Sequence, residues 1–273
     1  MVEQGTEQMK PFPVFIEDLY MIYTAFIDLD DTLLDKEKRI SDYTFGALQE
    51  FQMRGNHVVF ATARSRQLHG LQACIKTITP HFIFHNGGEI VSEGKTLYQG
   101  FFSIEETERI GRLLSENSIR AAVILDDAYY ANYDAPFVWG QIQNFHCTGF
   151  ADADFRAPKF SIQLDDGFRE DALDSLNDIA SVTFIDNHTG AIIAPRNVSK
   201  GTAVRIMLSS MLPCDASIFI GNDHNDLSGF EACDMKVAVA NAEPALLNKA
   251  DIVIDSNNKD GVGRFLFHLC GNS

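Results

Sequence analysis

Residues 21–34 of the chain read MIYTAFIDLDDTLL, an apolar run that ends in a group of aspartates. The run from Met21 to Leu29 is almost continuously apolar, which is typical of a strand buried on both faces of a parallel sheet. Asp28 and Asp30 would lie at the carboxyl end of this strand, where open parallel sheets bind ligands. An aspartate buried there is costly without a compensating cation or hydrogen-bond donors. The stretch therefore predicts a central strand and a site that needs positive charge.

Buried strands alternate with capped helices both before and after a long middle region, residues 88–187. A second apolar run, His57–Ala61, ends at Thr62. Ser41 or Asp42 can cap the helix before it, and Ser65 the helix after it. The pattern resumes after residue 188, where Ser199 can cap a helix and a strand at 216–220 leads into the turn 221–226. This alternation predicts an α/β fold with a doubly wound, Rossmann-like parallel sheet as its core.

The middle region predicts a separate α+β module inserted into that core. Short strands predominate from residue 88 to about 187, and Ser103 with Glu106 three residues later forms a capping-box signature. A second helix is predicted near Phe168–Ala180. We therefore expect an N-terminal extension at 1–20, a core domain made of 21–87 and 188–273, and a cap domain at 88–187.

Composition excludes several classes of function. The chain has 273 residues, with 22 Lys and Arg against 38 Asp and Glu, so its formal net charge is −16. Such a field repels nucleic acid and anionic membrane surfaces, and it favours a divalent cation. The five cysteines are scattered singly without a C-x-x-C pair, which predicts reduced thiols and a cytoplasmic location.

Chemistry-bearing side chains are predicted to converge at one end of the sheet. Asp28 and Asp30 are two residues apart, so one carboxylate can attack an electrophile while the other handles the proton of the leaving group. Thr62 and Lys200 would lie at the same end and add a hydroxyl and an ammonium group. Taken alone, an aspartate pair of this kind is more typical of an acidic turn and helix cap after a strand.

The order of four motifs resembles that of the haloacid dehalogenase superfamily. The motifs are DLDDTLL at 28–34, ATAR at 61–64, NVSKG at 197–201 and GNDHND at 221–226. The segments VAVANA at 237–242 and DGV at 260–262 resemble the Cof-type subfamily in particular. Members of that subfamily carry a C2-type α+β cap between the second and third motifs, and this chain has its middle region there.

The resemblance implies roles for individual residues. Asp28 is expected to be the nucleophile that forms an aspartyl phosphate, and Asp30 the general acid and base. Thr62 is expected to donate a hydrogen bond to a phosphoryl oxygen, and Lys200 to supply positive charge. The implied substrate-binding set is Thr62, Ala63, Lys200 and Asn225.

A magnesium site is implied by the same resemblance. Its expected ligands are the Asp28 carboxylate, the Asp30 backbone carbonyl and an oxygen of the fourth motif, from Asn222 or Asp226. Magnesium prefers oxygen ligands of this kind. The family usually has aspartate where this chain has Asn222, so we expect ordinary or somewhat weakened metal affinity.

We therefore predict a magnesium-dependent phosphatase of small phosphorylated metabolites, with sugar phosphates as the class that the resemblance implies. Two alternatives stay open. One is a sensor that binds a phosphometabolite without turnover, and the other is a phosphotransferase or mutase. The expected partner is a small phosphate ester, with no nucleic acid and no membrane. The sequence leaves the substrate and the oligomeric state open.

Overall fold

The computed structural model describes residues 21–66, 75–125, 128–136, 142, 144–164, 170–185 and 189–271. In chain order the strands are β1 (Tyr23–Ile27), β2 (His57–Ala61), β3 (His81–Phe84), β4 (Glu89–Ser92), β5 (Lys95–Gln99), β6 (Ala121–Leu125), β7 (Ala128–Ala131), β8 (Phe145–Cys147), β9 (Phe160–Gln163), β10 (Ala180–Ile185), β11 (Gly190–Pro195), β12 (Ala216–Gly221), β13 (Met235–Val239) and β14 (Ile252–Ile254). The expected extension at 1–20 lies outside the described residues.

The α-helices of the described ranges are α1 (Asp42–Met53), α2 (Ile75–Ile78), α3 (Ile104–Glu116), α4 (Lys200–Ser210), α5 (Leu227–Phe230), α6 (Pro244–Leu247) and α7 (Gly261–Leu269). Three predicted caps are confirmed. Ser41 Oγ accepts a hydrogen bond from the Thr44 amide at 3.0 Å, and Ser199 Oγ accepts one from the Thr202 amide at 3.1 Å. Ser103 forms both hydrogen bonds of its capping box. Most of the helix predicted after Ser65 falls at 67–74, outside the described residues.

The first sheet has the order β14-β13-β12-β1-β2-β3-β4-β5, and the strands from β14 to β3 are parallel. Strand β1 is buried at every position, which explains its uninterrupted apolar sequence. It lies between β12 and β2, with Ile27 in register with Ile220 and Phe60. The strand order reverses at β1, so the carboxyl ends of β1 and β12 form the switch point where such sheets bind ligands.

The second sheet has the order β10-β11-β9-β6-β7-β8 and is mostly antiparallel. Helix α3 packs on one of its faces, where Ile110 and Leu114 share a core with Phe160 and Ile162. A parallel sheet with an inserted α+β module is thus present, and the predicted fold class is confirmed. No helix in the described part of the chain has the length and apolar character that a membrane span requires.

Three strands near the expected domain boundaries, β4, β5 and β11, belong to a different sheet from the one expected from the sequence. Strands β4 and β5 were expected in the inserted module, but the chain turns back after β3 and pairs antiparallel with it, so both strands extend the first sheet. Strand β11 was expected in the core, but it pairs with β9 and β10 in the second sheet. Within the helix predicted near Phe168–Ala180, residues 168–169 lie outside the described residues and Glu170–Leu176 forms a 3-10 helix. The prediction is wrong at its end, because Ala180 begins strand β10.

The turn His85–Gly88 connects β3 to β4 and packs against the backbone just before the helix that carries Lys200. Gly87 has a φ of 103°, and a Cβ on it would collide with the backbone carbonyl of Ser199, the residue before α4. Only glycine fits this approach, since the backbone angle and the space both exclude a side chain. The turn therefore fixes where α4 begins.

We expect Gly87→Ala to destabilise the fold more than Gly94→Ala. Both glycines have positive φ, but a Cβ on Gly94 meets nothing within 4 Å. The left-handed backbone alone costs an alanine about 1–2 kcal/mol, and the collision at Gly87 adds about 1–3 kcal/mol of overpacking. Denaturant unfolding of the two variants measures the difference. Equal losses would contradict the tight approach of Gly87 to Ser199.

Candidate active site

Three strand ends of the first sheet carry the predicted polar side chains. Asp28 follows β1, Thr62 follows β2 and Asn222 follows β12, and these three strands are neighbours in the sheet. The fourth contribution is Lys200, the first residue of α4, whose ammonium reaches the Asp28 carboxylate. The structure therefore brings the four predicted motifs together at the switch point of the sheet.

Lys200 is the centre of a buried ion triad. Its side chain is fully buried, and Nζ donates hydrogen bonds of 2.6 Å to Asp28 Oδ1 and to Asp226 Oδ1. Although burial opposes it, the two carboxylates raise the pKa of Lys200, so its ammonium stays charged. Burial raises the pKa of Asp28 to about 7, while the charge of Lys200 works in the opposite direction. A further positive charge beside Asp28 would favour its carboxylate form.

The side-chain amide of Asn222 lies where such a charge is needed. It lies 3.3 Å from Asp28 Oδ2, 3.2 Å from the backbone carbonyl oxygen of Asp30 and 2.9 Å from Thr32 Oγ1. With its nitrogen toward these oxygens, the amide has two N–H groups to donate among the three. With its oxygen toward them, the Asp28, Asp30 and Asn222 oxygens face one another, and a cation among them would balance the arrangement. A set of three oxygen donors fits magnesium.

Asp226 was expected to be a further metal ligand, but its oxygens are engaged elsewhere. Oδ1 accepts from Lys200, and Oδ2 accepts from the backbone amides of Asn222 at 2.9 Å and Asp223 at 3.1 Å. Asp226 is fully buried, so these donors compensate its charge. This geometry favours Asp226 as the residue that holds Lys200 and the turn after β12.

Asp30 is held by basic side chains. Arg64 donates two hydrogen bonds of 2.7 Å, from Nε to Oδ2 and from Nη2 to Oδ1, and Lys38 Nζ lies 3.1 Å from Oδ1. Burial would raise the pKa of Asp30, but the hydrogen bonds and charges of Arg64 and Lys38 outweigh it and lower that pKa. Asp30 is therefore an ionised carboxylate in this arrangement. The Lys38 contact was missed, because nothing in its local sequence marks it.

The remaining predicted residues lie around the same crevice. The Thr62 side chain is buried, and its hydroxyl oxygen accepts from the Arg64 amide at 3.1 Å. Ala63 packs beside Ile192 of the second sheet. Asn225, which is expected to contact phosphate, donates a hydrogen bond from Nδ2 to Asn86 Oδ1 at 3.1 Å. This link between the turn after β3 and the fourth motif has no signal in the sequence spacing.

Comparison with known proteins identifies the family. The sequence profile of the haloacid dehalogenase-like hydrolases matches residues 25–266, and the chain belongs to this family. The Cof-type resemblance predicted from the motifs is confirmed, as is the enzyme class, a hydrolase with phosphatase relatives.

Two relatives and one solved structure illustrate this. A phosphoglycolate phosphatase from Sulfurisphaera tokodaii is 44% identical over 97 residues, which span 36% of this chain and 42% of that protein. A phosphoglycolate phosphatase from Methanothermobacter thermautotrophicus is 25% identical over 249 residues, 90% of this chain and 97% of that protein. The structure of BT1666 from Bacteroides thetaiotaomicron, described among phosphatases of the haloalkanoate (HAD) enzyme superfamily, superimposes with a TM-score of 0.76 at 19% identity and covers 98% of both chains.

We expect Lys200→Met to destabilise the fold by about 3–5 kcal/mol, because it leaves the buried Asp28 and Asp226 carboxylates without their cation. Lys36→Met serves as the control, since the Lys36 side chain is 76% exposed, and it should change stability by less than about 0.5 kcal/mol. Denaturant unfolding at neutral pH measures both. A loss in Lys200→Met no larger than in the control would contradict the triad.

Proposed function

We propose that the protein is a magnesium-dependent phosphatase that hydrolyses small phosphate monoesters through an aspartyl phosphate on Asp28. The observation that carries the proposal is the environment of the Asp28 carboxylate. One oxygen is held by Lys200 at 2.6 Å, and the other lies 3.3 Å from the Asn222 amide, which also lies 3.2 Å from the Asp30 carbonyl. A buried carboxylate fixed at a ligand crevice is suited to nucleophilic attack.

In the first step an oxygen of Asp28 forms a bond to phosphorus and the bond from phosphorus to the ester oxygen breaks. The leaving oxygen takes a proton from Asp30 and departs as an alcohol. Lys200 and the Thr62 hydroxyl neutralise charge on the phosphoryl oxygens, which is most of what phosphoryl transfer requires from a protein. Asp30 must gain a proton beforehand, which requires that it separates from Arg64.

In the second step water attacks the phosphorus of the aspartyl phosphate. Asp30 accepts a proton from this water, the bond between the Asp28 oxygen and phosphorus breaks, and inorganic phosphate leaves. The ionised state of Asp30 beside Arg64 and Lys38 suits this base role. Asp28 is regenerated as a carboxylate next to Lys200.

Magnesium would supply positive charge that offsets the repulsion between a carboxylate nucleophile and an anionic ester. We propose Asp28, the Asp30 carbonyl and Asn222 as the residues that hold it, in agreement with the oxygen set described above. Sugar phosphates are the substrate class typical of the family, and the two phosphoglycolate phosphatases among the relatives indicate phosphorylated hydroxy acids as a second class.

We expect Asp28→Asn to lower phosphate release from 4-nitrophenyl phosphate by at least about a thousandfold, because an amide cannot serve as the nucleophile. Asp42→Asn, the same substitution at an exposed position of α1, should keep activity. Acid-quenched wild-type enzyme should carry phosphate that hydroxylamine releases, whereas Asp28→Asn should carry none. Undiminished turnover in Asp28→Asn would refute the mechanism, and a wild type inactive on a metabolite panel would favour the sensor.

We expect Asn222→Asp to bind magnesium more tightly, since it adds a negative charge to the ligand set. Its half-saturation concentration for magnesium should fall about three- to tenfold, and its melting temperature should rise at lower magnesium concentration than that of the wild type. Asn248→Asp adds the same charge at an exposed site and controls for the net charge. Identical magnesium titrations of Asn222→Asp and wild type would argue against Asn222 as a ligand.

A further inference from the structure

Strand β9 presents polar side chains to the crevice. Phe160 and Ile162 point into the core under α3. Side chains alternate along a strand, so Ser161 and Gln163 lie on the opposite face. Ser161 is in register with Ile192, which packs with Val198 and Ala63 next to the catalytic residues. This face of the second sheet is therefore the face that meets the candidate active site.

Lys159, directly before β9, lies where the second sheet packs against the turn His85–Gly88. The carbonyl oxygen of the preceding residue, Pro158, is 3.6 Å from where a Cβ on Gly88 would stand. On the neighbouring Gly87, the backbone carbonyl of Ser199 makes the close approach described above. Lys159 and Lys200 thus follow two backbone segments that pack on one short turn. Lys159 is close enough to Lys200 for that charge to act on its ammonium.

Lys159 differs from the other basic side chains of the crevice in its lack of partners. Lys38 and Arg64 bind Asp30, Arg66 binds Glu89, and Lys200 binds two carboxylates. Within the described ranges, Lys159 makes no hydrogen bond and no ion pair. Burial and the charge of Lys200 lower the pKa of Lys159 to about 8, so it is still mainly cationic at neutral pH.

A partly buried ammonium next to another cation is costly unless an anion binds to it. A second polar group of this segment has no partner among the described residues, namely the buried Oε1 of Gln163. Buried polar groups normally have partners, and an exception calls for a missing ligand or water. Lys159 directly precedes β9 and Gln163 ends it, and side-chain alternation places both on the face of the sheet that meets the crevice.

The in-line geometry of displacement at phosphorus determines which part of the substrate lies near β9. The leaving oxygen lies opposite the attacking Asp28 carboxylate, which belongs to the first sheet. The leaving group is therefore directed away from the first sheet and toward the second. The transferred phosphoryl group already has Lys200 and Thr62, so an additional cation from the second sheet is placed for the leaving group.

We propose that Lys159 binds a carboxylate on the leaving group, so that the preferred substrates are phosphate monoesters of small hydroxy acids. This inference rests on the proposed phosphatase function and adds a specificity residue to it.

The test compares two esters of nearly equal size, 2-phosphoglycolate and 2-hydroxyethyl phosphate, which differ in a carboxylate against a hydroxymethyl group. Wild type should favour 2-phosphoglycolate. In Lys159→Met the ratio of the two kcat/KM values should fall about 10- to 100-fold, the usual size of a lost charged hydrogen bond. Lys159→Arg should restore most of the ratio, and Lys95→Met, which removes an exposed lysine of β5, should leave it unchanged.

A parallel loss on both esters in Lys159→Met would overturn the inference, because Lys159 would then serve the transferred phosphoryl group. An unchanged ratio would overturn it as well. Calorimetric binding of both esters to Asp28→Asn, with and without Lys159→Met, gives the same comparison without turnover. Turnover of 4-nitrophenyl phosphate by wild type without a preference for 2-phosphoglycolate would reject the inference alone. No turnover of any ester would reject the proposed function, and the binding comparison would still decide the role of Lys159.

Discussion

The organisation of the site depends on one buried ammonium group between two buried carboxylates. Lys200 is separated from Asp28 by 172 positions in the chain and from Asp226 by 26, yet both carboxylates lie 2.6 Å from its Nζ. An uncompensated charge at any of these positions would cost several kcal/mol. The ends of β1 and β12 and the start of α4 must therefore meet whenever the protein is folded. The close approach of Gly87 to Ser199 brings the turn after β3 into the same contact.

Local signals predicted the elements well, whereas pairing between distant segments could not be predicted from them. Strand β2 has the predicted bounds, His57–Ala61, since it is a short apolar run that ends at a polar residue. The sheet to which β4, β5 and β11 belong depends on backbone hydrogen bonds with distant strands, and an apolar pattern does not specify the partner. For the site, strand ends predicted that Asp28, Thr62 and Lys200 converge. The bonds of Arg64 to Asp30 and of Asn225 to Asn86 depend on rotamers that spacing does not encode.

The balance of charges around Asp28 explains the effect of an amide rather than a carboxylate at position 222. Asp30 is compensated by Arg64 and Lys38, and the triad of Asp28, Asp226 and Lys200 carries one net negative charge. An aspartate at position 222 would add a second negative charge at 3.3 Å from Asp28 Oδ2. An amide instead can donate to Asp28 or turn its oxygen toward a cation. The substitution thus lowers repulsion in the metal-free protein and, in our proposal, weakens the attraction for magnesium.

The two sheets divide the work that we propose for this enzyme, and strand geometry explains why. Every catalytic candidate follows a strand of the first sheet or begins a helix that packs on it. The strands that they follow are almost entirely buried, so the side chains of these strands tolerate few substitutions. A strand of the second sheet alternates between a face that builds the core under α3 and a face that meets the crevice. Side chains on the crevice face can therefore change without loss of the core. The methylene stem of Lys159 can pack on that face, but its ammonium has no ion-pair partner within the described ranges, so in our proposal its role is to bind the leaving group.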